Sequence, residues 1–171
     1  MTDHAIALLT LILTGIGVLI AGVGIGYAVK TLRAGAEIAR AQFWVMVRGV
    51  LANYDDVHAK LRPEGIWGVP LAEKYSLQGP QDAAEWARLE LYMGMFEYCE
   101  TLLTHGLLDE KEFSDAYRYR LDNLVHNAVI VREKLHERGI YWKKFSNLCG
   151  RLRVPIPRPG DLPPARDSSQ N

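Results

Sequence analysis

The sequence predicts an all-α protein: one N-terminal transmembrane helix continuing into a cytoplasmic antiparallel bundle of three to four helices, then a disordered, proline-rich tail. Three observations lead there. Residues Ala5 to Val29 contain no charge, proline, asparagine or glutamine. Beyond them, apolar residues recur at alternating steps of three and four, the period of a helix with one buried face. No stretch shows the apolar–polar alternation of a half-buried strand.

The segment 5–29 is long enough to span a bilayer, since a helix rises ~1.5 Å per residue and a hydrocarbon core is ~30 Å thick. A cleaved secretory signal fits less well, because Met1–His4 carries no Lys or Arg and the apolar run is too long. Lys30, Arg33 and Arg40 follow the segment and none precedes it, so residues 1–4 are expected outside and the rest in the cytoplasm. Within it, Gly15, Gly22 and Gly26 share one face, and Gly17, Ala21, Gly24 and Ala28 another. Small residues four apart let helices approach closely. Packing on a second copy or on a partner span is one reading, and the general abundance of glycine in membrane helices is the other.

Residues 30–153 are expected to form one helical domain. From Lys30 to Leu61 no proline intervenes, and Trp44, Val47, Leu51, Tyr54 and Leu61 make one stripe with His58 at the missing step. Pro63 and Gly65 end it. Residues 62–81 read as a long loop folded back through Trp67, Leu71 and Tyr75. Asp82 with Glu85 predicts a helix start; Trp86, Leu89, Met93, Phe96, Cys99 and Leu103 then face inward, and Gly106 supplies a left-handed stop. Asp109 opens a helix expected to run to about Arg138, either whole or broken near Tyr117–Tyr119, on the stripe Tyr117, Leu121, Leu124, Ala128, Val131 and Leu135. A last helix, Tyr141–Leu152, points Trp142, Phe145, Leu148, Cys149 and Leu152 inward. The end, 154–171, is proline-rich with no periodic apolar face and is expected to be mobile.

Lys plus Arg equals Asp plus Glu at 20 each, so the net charge is zero and the basic footprint of a nucleic-acid binder is missing. The two cysteines, Cys99 and Cys149, read as buried thiols. No HExxH, CxxC, P-loop or Gly-x-Ser-x-Gly motif is present, so no catalytic, cofactor-binding or metal-binding residues are assigned, no cofactor is expected and the protein is not expected to be an enzyme. Glu97 and Glu100 read as solvated helix-face charges. Arg118, Arg120 and Asp122, interleaved with Tyr117 and Tyr119, read either as a polar groove or as a solvated face. Lys143, Lys144, Arg151 and Arg153, with Lys30 and Arg33, are candidates for contact with an anionic membrane surface.

The aromatic helix Ala41-Gln42-Phe43-Trp44, the stretch FEYCETLLTHGLLDEKEF (Phe96–Phe113) and YRYRLDNL (Tyr117–Leu124) resemble a class of uncharacterised bacterial single-pass membrane proteins with a helical cytoplasmic domain. The resemblance implies an inner (plasma) membrane location and no particular reaction. The function expected from all this is a membrane-anchored helical interaction module: a scaffold, adaptor or sensor. The alternative is an oligomerising membrane effector of a bacterial stress or defence system. The expected partners are the lipid bilayer and either a second copy or a membrane protein, with no nucleic acid.

Overall fold

The structure is a computed structural model and describes residues 30–32, 34, 35 and 37–164. The chain divides into two units, Met1–Gln42 and Phe43–Asn171. In the first, the described residues are helical and, apart from half-buried Ala39, exposed.

The single-pass membrane architecture is corrected here. No helix among the described residues is long and apolar enough to cross a membrane. The longest, Ala83–Thr104, carries Glu85, Arg88, Glu90, Glu97 and Glu100 along its length, and each of these would have to be desolvated in hydrocarbon. Residues 5–29, on which the span was placed, lie outside the described residues, as do the packing positions Gly15, Gly17, Ala21, Gly22, Gly24, Gly26 and Ala28. The membrane anchor, its orientation, the inner-membrane location, the bilayer as partner and the membrane effector accordingly find no support among the described residues.

What holds is the all-α class. The second unit comprises α1 (43–52), α2 (Asp55–Leu61), α3 (Ala83–Thr104), α4 (Glu110–Val125), α5 (Ala128–Ile130) and α6 (Lys143–Arg151). The helix α5 widens without interruption into a π-helical segment, Val131–Glu137, and a 3-10 turn, Gly139–Trp142, leads into α6. The core is organised around α3, which buries Leu89, Tyr92, Met93, Phe96, Cys99, Leu102 and Leu103 on more than one face. On one side it takes α6, where Phe96 meets Phe145 edge-on at 6.3 Å. On the other it takes the α1–α2 corner, where Tyr92 packs on Tyr54 at 6.0 Å.

Both predicted caps of the central helices form. The Asp82 side chain accepts from the Glu85 amide at 2.8 Å, and that of Asp109 from Glu112 at 2.9 Å. The carboxylate of Glu85 does not close the reciprocal box on Asp82. It accepts from the Gln81 amide and from Lys60, both within 2.8 Å, and so ties α2 to α3. At the other end Gly106 has φ 66°, and the amides of Gly106 and Leu107 return to the carbonyls of Leu103 and Leu102. This is the paired bond pattern that a left-handed residue allows.

Two predicted helices are broken within the described residues. The stripe from Trp44 to Leu61 was expected on one helix, with Gly35 as a kink point upstream, but the ladder stops at Asn53–Tyr54. Arg88 of α3 is the cause: its guanidinium takes the Asn53 carbonyl and the Asp56 carboxylate and covers the Tyr54 ring at 4.6 Å. The second predicted helix, Asp109 to about Arg138, breaks at His126–Asn127, where Ser76 of the loop pairs with the chain. The Ser76 amide donates to the His126 carbonyl and its carbonyl accepts from the Ala128 amide, each at 2.9 Å. The inward stripe survives the break, with Tyr117, Leu121, Leu124, Ala128 and Val131 buried and Leu135 partly so.

Loop 62–81 is held by the same junction. Its Trp67 and Tyr75 are buried, whereas Leu71 is 94% exposed. Asn127, fully buried, donates through Nδ2 to the carbonyls of Trp67 (2.9 Å) and Gln78 (2.7 Å), and accepts the Ile130 amide through Oδ1.

The disordered tail also needs correction, as far as it is described. Residues 154–164 lie on the bundle, with Val154 and Leu162 buried. Their carbonyls are held by the π-helical segment: Arg132 donates to Pro163 at 2.6 Å, and the His136 ring lies 2.9 Å from the Pro157 carbonyl oxygen. Prolines remove backbone donors but leave these acceptors free for side chains on the facing helix. Residues 165–171 lie outside the described part.

Candidate functional site

Two surfaces of the second unit combine accessibility with chemistry. The first is a groove of about 470 Å³ between α1 and α4, lined by Trp44, Arg48, Leu51, Ala52, Asp55, Ala116, Tyr117, Tyr119 and Arg120. Its aromatic wall is built by the two stripes meeting. Trp44 stacks on Tyr117 with centroids 6.1 Å apart, and its indole N–H donates to Glu112 at 2.6 Å.

Arg120 is the hinge of this region. Its side chain is only 11% exposed and donates through Nη2 to Asp55 at 2.9 Å and through Nε to the Tyr119 hydroxyl at 3.3 Å. Burial works against its charge, but the tyrosine hydroxyls and Asp55 outweigh burial and hold it protonated. Three buried polar atoms here have no hydrogen-bond partner of good geometry: Nη1 of Arg120 itself, His58 Nδ1 and Tyr92 Oη, the last close enough to Arg120 for the guanidinium to favour its ionised form. Burial pushes the Tyr92 hydroxyl well above its usual range. Burial, with help from Arg120, holds the His58 imidazole below 6.5 and so neutral at pH 7. Three unpaired groups in one place are unusual, because buried donors and acceptors are nearly always matched.

Of the two readings of the Arg118–Asp122 stretch, the structure thus divides the residues between them. Arg120 turns inward to a groove. Arg118 stays outside, 3.8 Å from Asp122, and gives a hydrogen bond to the Arg153 carbonyl.

The second surface lies where the 3-10 turn meets α3. Tyr98, Thr101 and Glu97 of α3 form a shallow depression with Tyr141, Lys143 and Lys144. Ile140 and Tyr141 are 83% and 77% exposed, and Tyr98 is 42% exposed.

The basic residues singled out for membrane contact differ in where they are placed. Lys143 and Lys144 are exposed beside Tyr141, with Lys144 donating to the Thr101 hydroxyl at 3.1 Å. Arg151 is turned into the bundle: its Nε and Nη2 grip both oxygens of Glu100 at 2.9 and 2.8 Å, and Nη1 reaches Glu110 at 3.3 Å. Glu100 is therefore not a solvated charge but a buried one, 7% exposed. Arg153 is exposed, as is Lys30 in the first unit, and Arg33 lies outside the described residues.

Among the described residues no group of three or more His, Cys, Asp or Glu side chains is placed to hold a metal ion. Both cysteines are buried free thiols, pushed up to about 12 by desolvation. Sequence reasoning did not single out Arg48, a lone exposed cation on α1, or Asn127. An asparagine inside a regular apolar stripe was the signal available for the latter.

Comparison with protein families, curated proteins and solved structures returned no match. The resemblance to single-pass membrane proteins accordingly receives no support from any family and is contradicted by the absence of a spanning helix among the described residues.

Proposed function

We propose that the protein is a helical interaction module that works by binding another macromolecule and not by catalysis. One observation carries this reading. The turn Gly139–Trp142 contributes no fully buried residue, although it contains Ile140, Tyr141 and Trp142 in succession. Tyr141 stands free of the core beside half-exposed Tyr98, with Lys143 at the rim, and Ile140, the residue before it, is exposed as well.

Large apolar side chains scattered singly on a surface need no explanation, but a cluster of them at one place marks a contact site. Tyrosine is also among the residues enriched at the centres of interfaces, since it offers a large rigid surface with one polar end. The neighbouring basic rim favours a partner with acidic groups at the edge of an apolar centre. A second copy of this chain is one such candidate, and the test separates it from others by mass.

A photocrosslinking phenylalanine derivative placed at Tyr141 tests the reading in the native cell. A discrete adduct is expected from position 141 and not from Leu71, which is even more exposed but lies in the loop. An adduct of twice the monomer mass identifies a second copy. Equal adducts from both positions, or none from either, would overturn the assignment.

A further inference from the structure

We propose that the partner at Tyr98 and Tyr141 is a second copy of this chain, and that the two copies dock antiparallel along the outward face of α3 with their two-fold axis beside Gly94. The interface so defined includes the contact site at Tyr98 and Tyr141 and rests on that reading, but its centre is the helix rather than the turn.

The helix α3 buries apolar residues on more than one face and is still apolar where it meets solvent. Ala87, Leu91, Gly94 and Tyr98 follow at steps of four, three and four, which keeps them on one side of the helix. Ala87 is exposed, Leu91 is 57% exposed and Tyr98 is 42% exposed. At ~1.5 Å per residue the stripe is about 17 Å long. Gly94, in its middle, has open space above it: a Cβ there would meet no neighbouring group within 4 Å. A glycine in a helix interior destabilises it relative to alanine, and no other element of the described chain uses the room. A second helix crossing at close range does use it. The face is also held ready. Along one edge Glu90 is fixed by Lys134 at 2.7 Å and Glu97 by the Phe145 amide at 3.2 Å, so little ordering is left for binding to cost.

Symmetry and charge select a second copy as the occupant. The midpoint between Leu91 and Tyr98 falls next to Gly94, so an antiparallel copy sets Leu91 of each chain against Tyr98 of the other. The same patch then serves both sides, as a two-fold contact requires. The two ends of the stripe carry opposite charge. Around Tyr98 lie Lys143, Lys144 and Glu97, a net of +1. Around Ala87 lie Glu90, Glu133, Lys134 and Arg138, which cancel, and Asp82 caps the helix start beside them, a net of −1. An antiparallel copy lays the basic end of each chain over the acidic end of the other, whereas a parallel copy lays like on like. Lys143 is exposed and forms no ion pair among the described residues. Glu90, although bonded to Lys134, keeps 43% of its side chain exposed. These are the two groups that meet across the axis.

Single cysteines placed in the full chain test this, with disulfide-linked dimer read on non-reducing gels after brief copper-phenanthroline oxidation of intact cells. The native thiols of Cys99 and Cys149 are buried and keep the background low. Gly94→Cys is expected to link to itself, since a cysteine beside a two-fold axis meets its own copy within disulfide range. Leu71→Cys, at an exposed loop position, is expected to stay monomeric. Chains with Leu91→Cys are expected to link to differently tagged chains with Tyr98→Cys more than either links to itself. Leu91→Glu added to Gly94→Cys is expected to cut the dimer about tenfold, because two charges would enter an apolar centre; an unchanged urea midpoint checks that the fold is kept. The proposal is overturned by any of three results: no more dimer from position 94 than from 71, self-linking at 91 and 98 ahead of linking between them, or a yield unmoved by Leu91→Glu. A Tyr141 adduct of foreign mass with no disulfide at 94 would overturn the second copy alone and leave the contact site standing.

Discussion

Asn127 shows how much one residue can hold when its side chain is used completely. An asparagine amide offers two donors and an acceptor carbonyl, and here both donors end on loop carbonyls while the oxygen caps α5. Replacing it by alanine strands the Trp67 carbonyl and the Ile130 amide in a buried place, while the Gln78 carbonyl, on an exposed residue, keeps the Ser76 hydroxyl at 3.3 Å. Each such loss costs about 1–3 kcal/mol, so Asn127→Ala is expected to lower stability by about 2 kcal/mol or more. A urea unfolding curve measures this, and a loss below ~1 kcal/mol would mean that water replaces the side chain. Asn127→Asp is expected to be no better, since a carboxylate has no donors for the two carbonyls it would face. Glu100 is the charged counterpart. Its two-point grip on Arg151 joins α3 to α6 and explains why a carboxylate is tolerated at 7% exposure.

At the scale of elements, the C-terminal segment is the clearest case of a part defined by its neighbours. Taken alone, 154–164 has too few apolar residues to fold. On the bundle it places Val154 and Leu162 in the core, and its carbonyls meet Arg132 and His136 of the π-helical segment. A π turn is wider than an α turn and shifts the register of the side chains that follow it. Lys134, in the same segment, is 2% exposed, bonded to Glu90 at 2.7 Å and seated over the Trp86 ring at 4.3 Å. One short stretch thus grips α3 on one side and the terminal segment on the other. Leu162→Ala removes one of the segment's two buried apolar anchors and is expected to cost about 2 kcal/mol. The same change is expected to speed tryptic cleavage after Arg153. Cleavage at the wild-type rate would show that Leu162 does not hold the segment down.

For the folded unit as a whole, acidification should be felt first through His58. Burial, Arg120 and Arg62 lower its pKa below 6.5, against the opposing pull of Asp55. The unfolded chain therefore takes up this proton before the folded one does. The contribution of His58 is fully present above about pH 6.5 and is lost as the pH falls from there towards its lower folded value. Asp56, held below 3.8 by its bond to Arg88, titrates at lower pH. Comparing urea midpoints at pH 7.5 and 5.5 tests the point: the wild type is expected to lose more stability over the interval than His58→Asn. Parallel losses in the two proteins would remove His58 as the cause.

The sequence by itself determined the helical class, the inward stripes, both N-caps and the glycine stop at Gly106. Each of these is local: spacing along one helix decides a stripe, and a side chain three residues from its acceptor decides a cap. Only the tertiary structure decided where helices break, which charges are buried and where the groove lies. Arg88 interrupts the chain at Asn53 from α3, and Ser76 interrupts it at His126 from the loop, so neither break leaves a mark in the spacing of the broken helix. The alternation of Tyr117, Tyr119 and Arg120 fitted a groove and a solvated face equally, because the outcome rested on Asp55 and Trp44, some 65 or more positions away in the chain. Arg151 looked like a surface cation for the same reason: its acid partners come from α3 and α4. Pairings between distant residues depend on how helices dock, and docking is set by the complementary shapes of whole faces rather than by any single residue's neighbours along the chain.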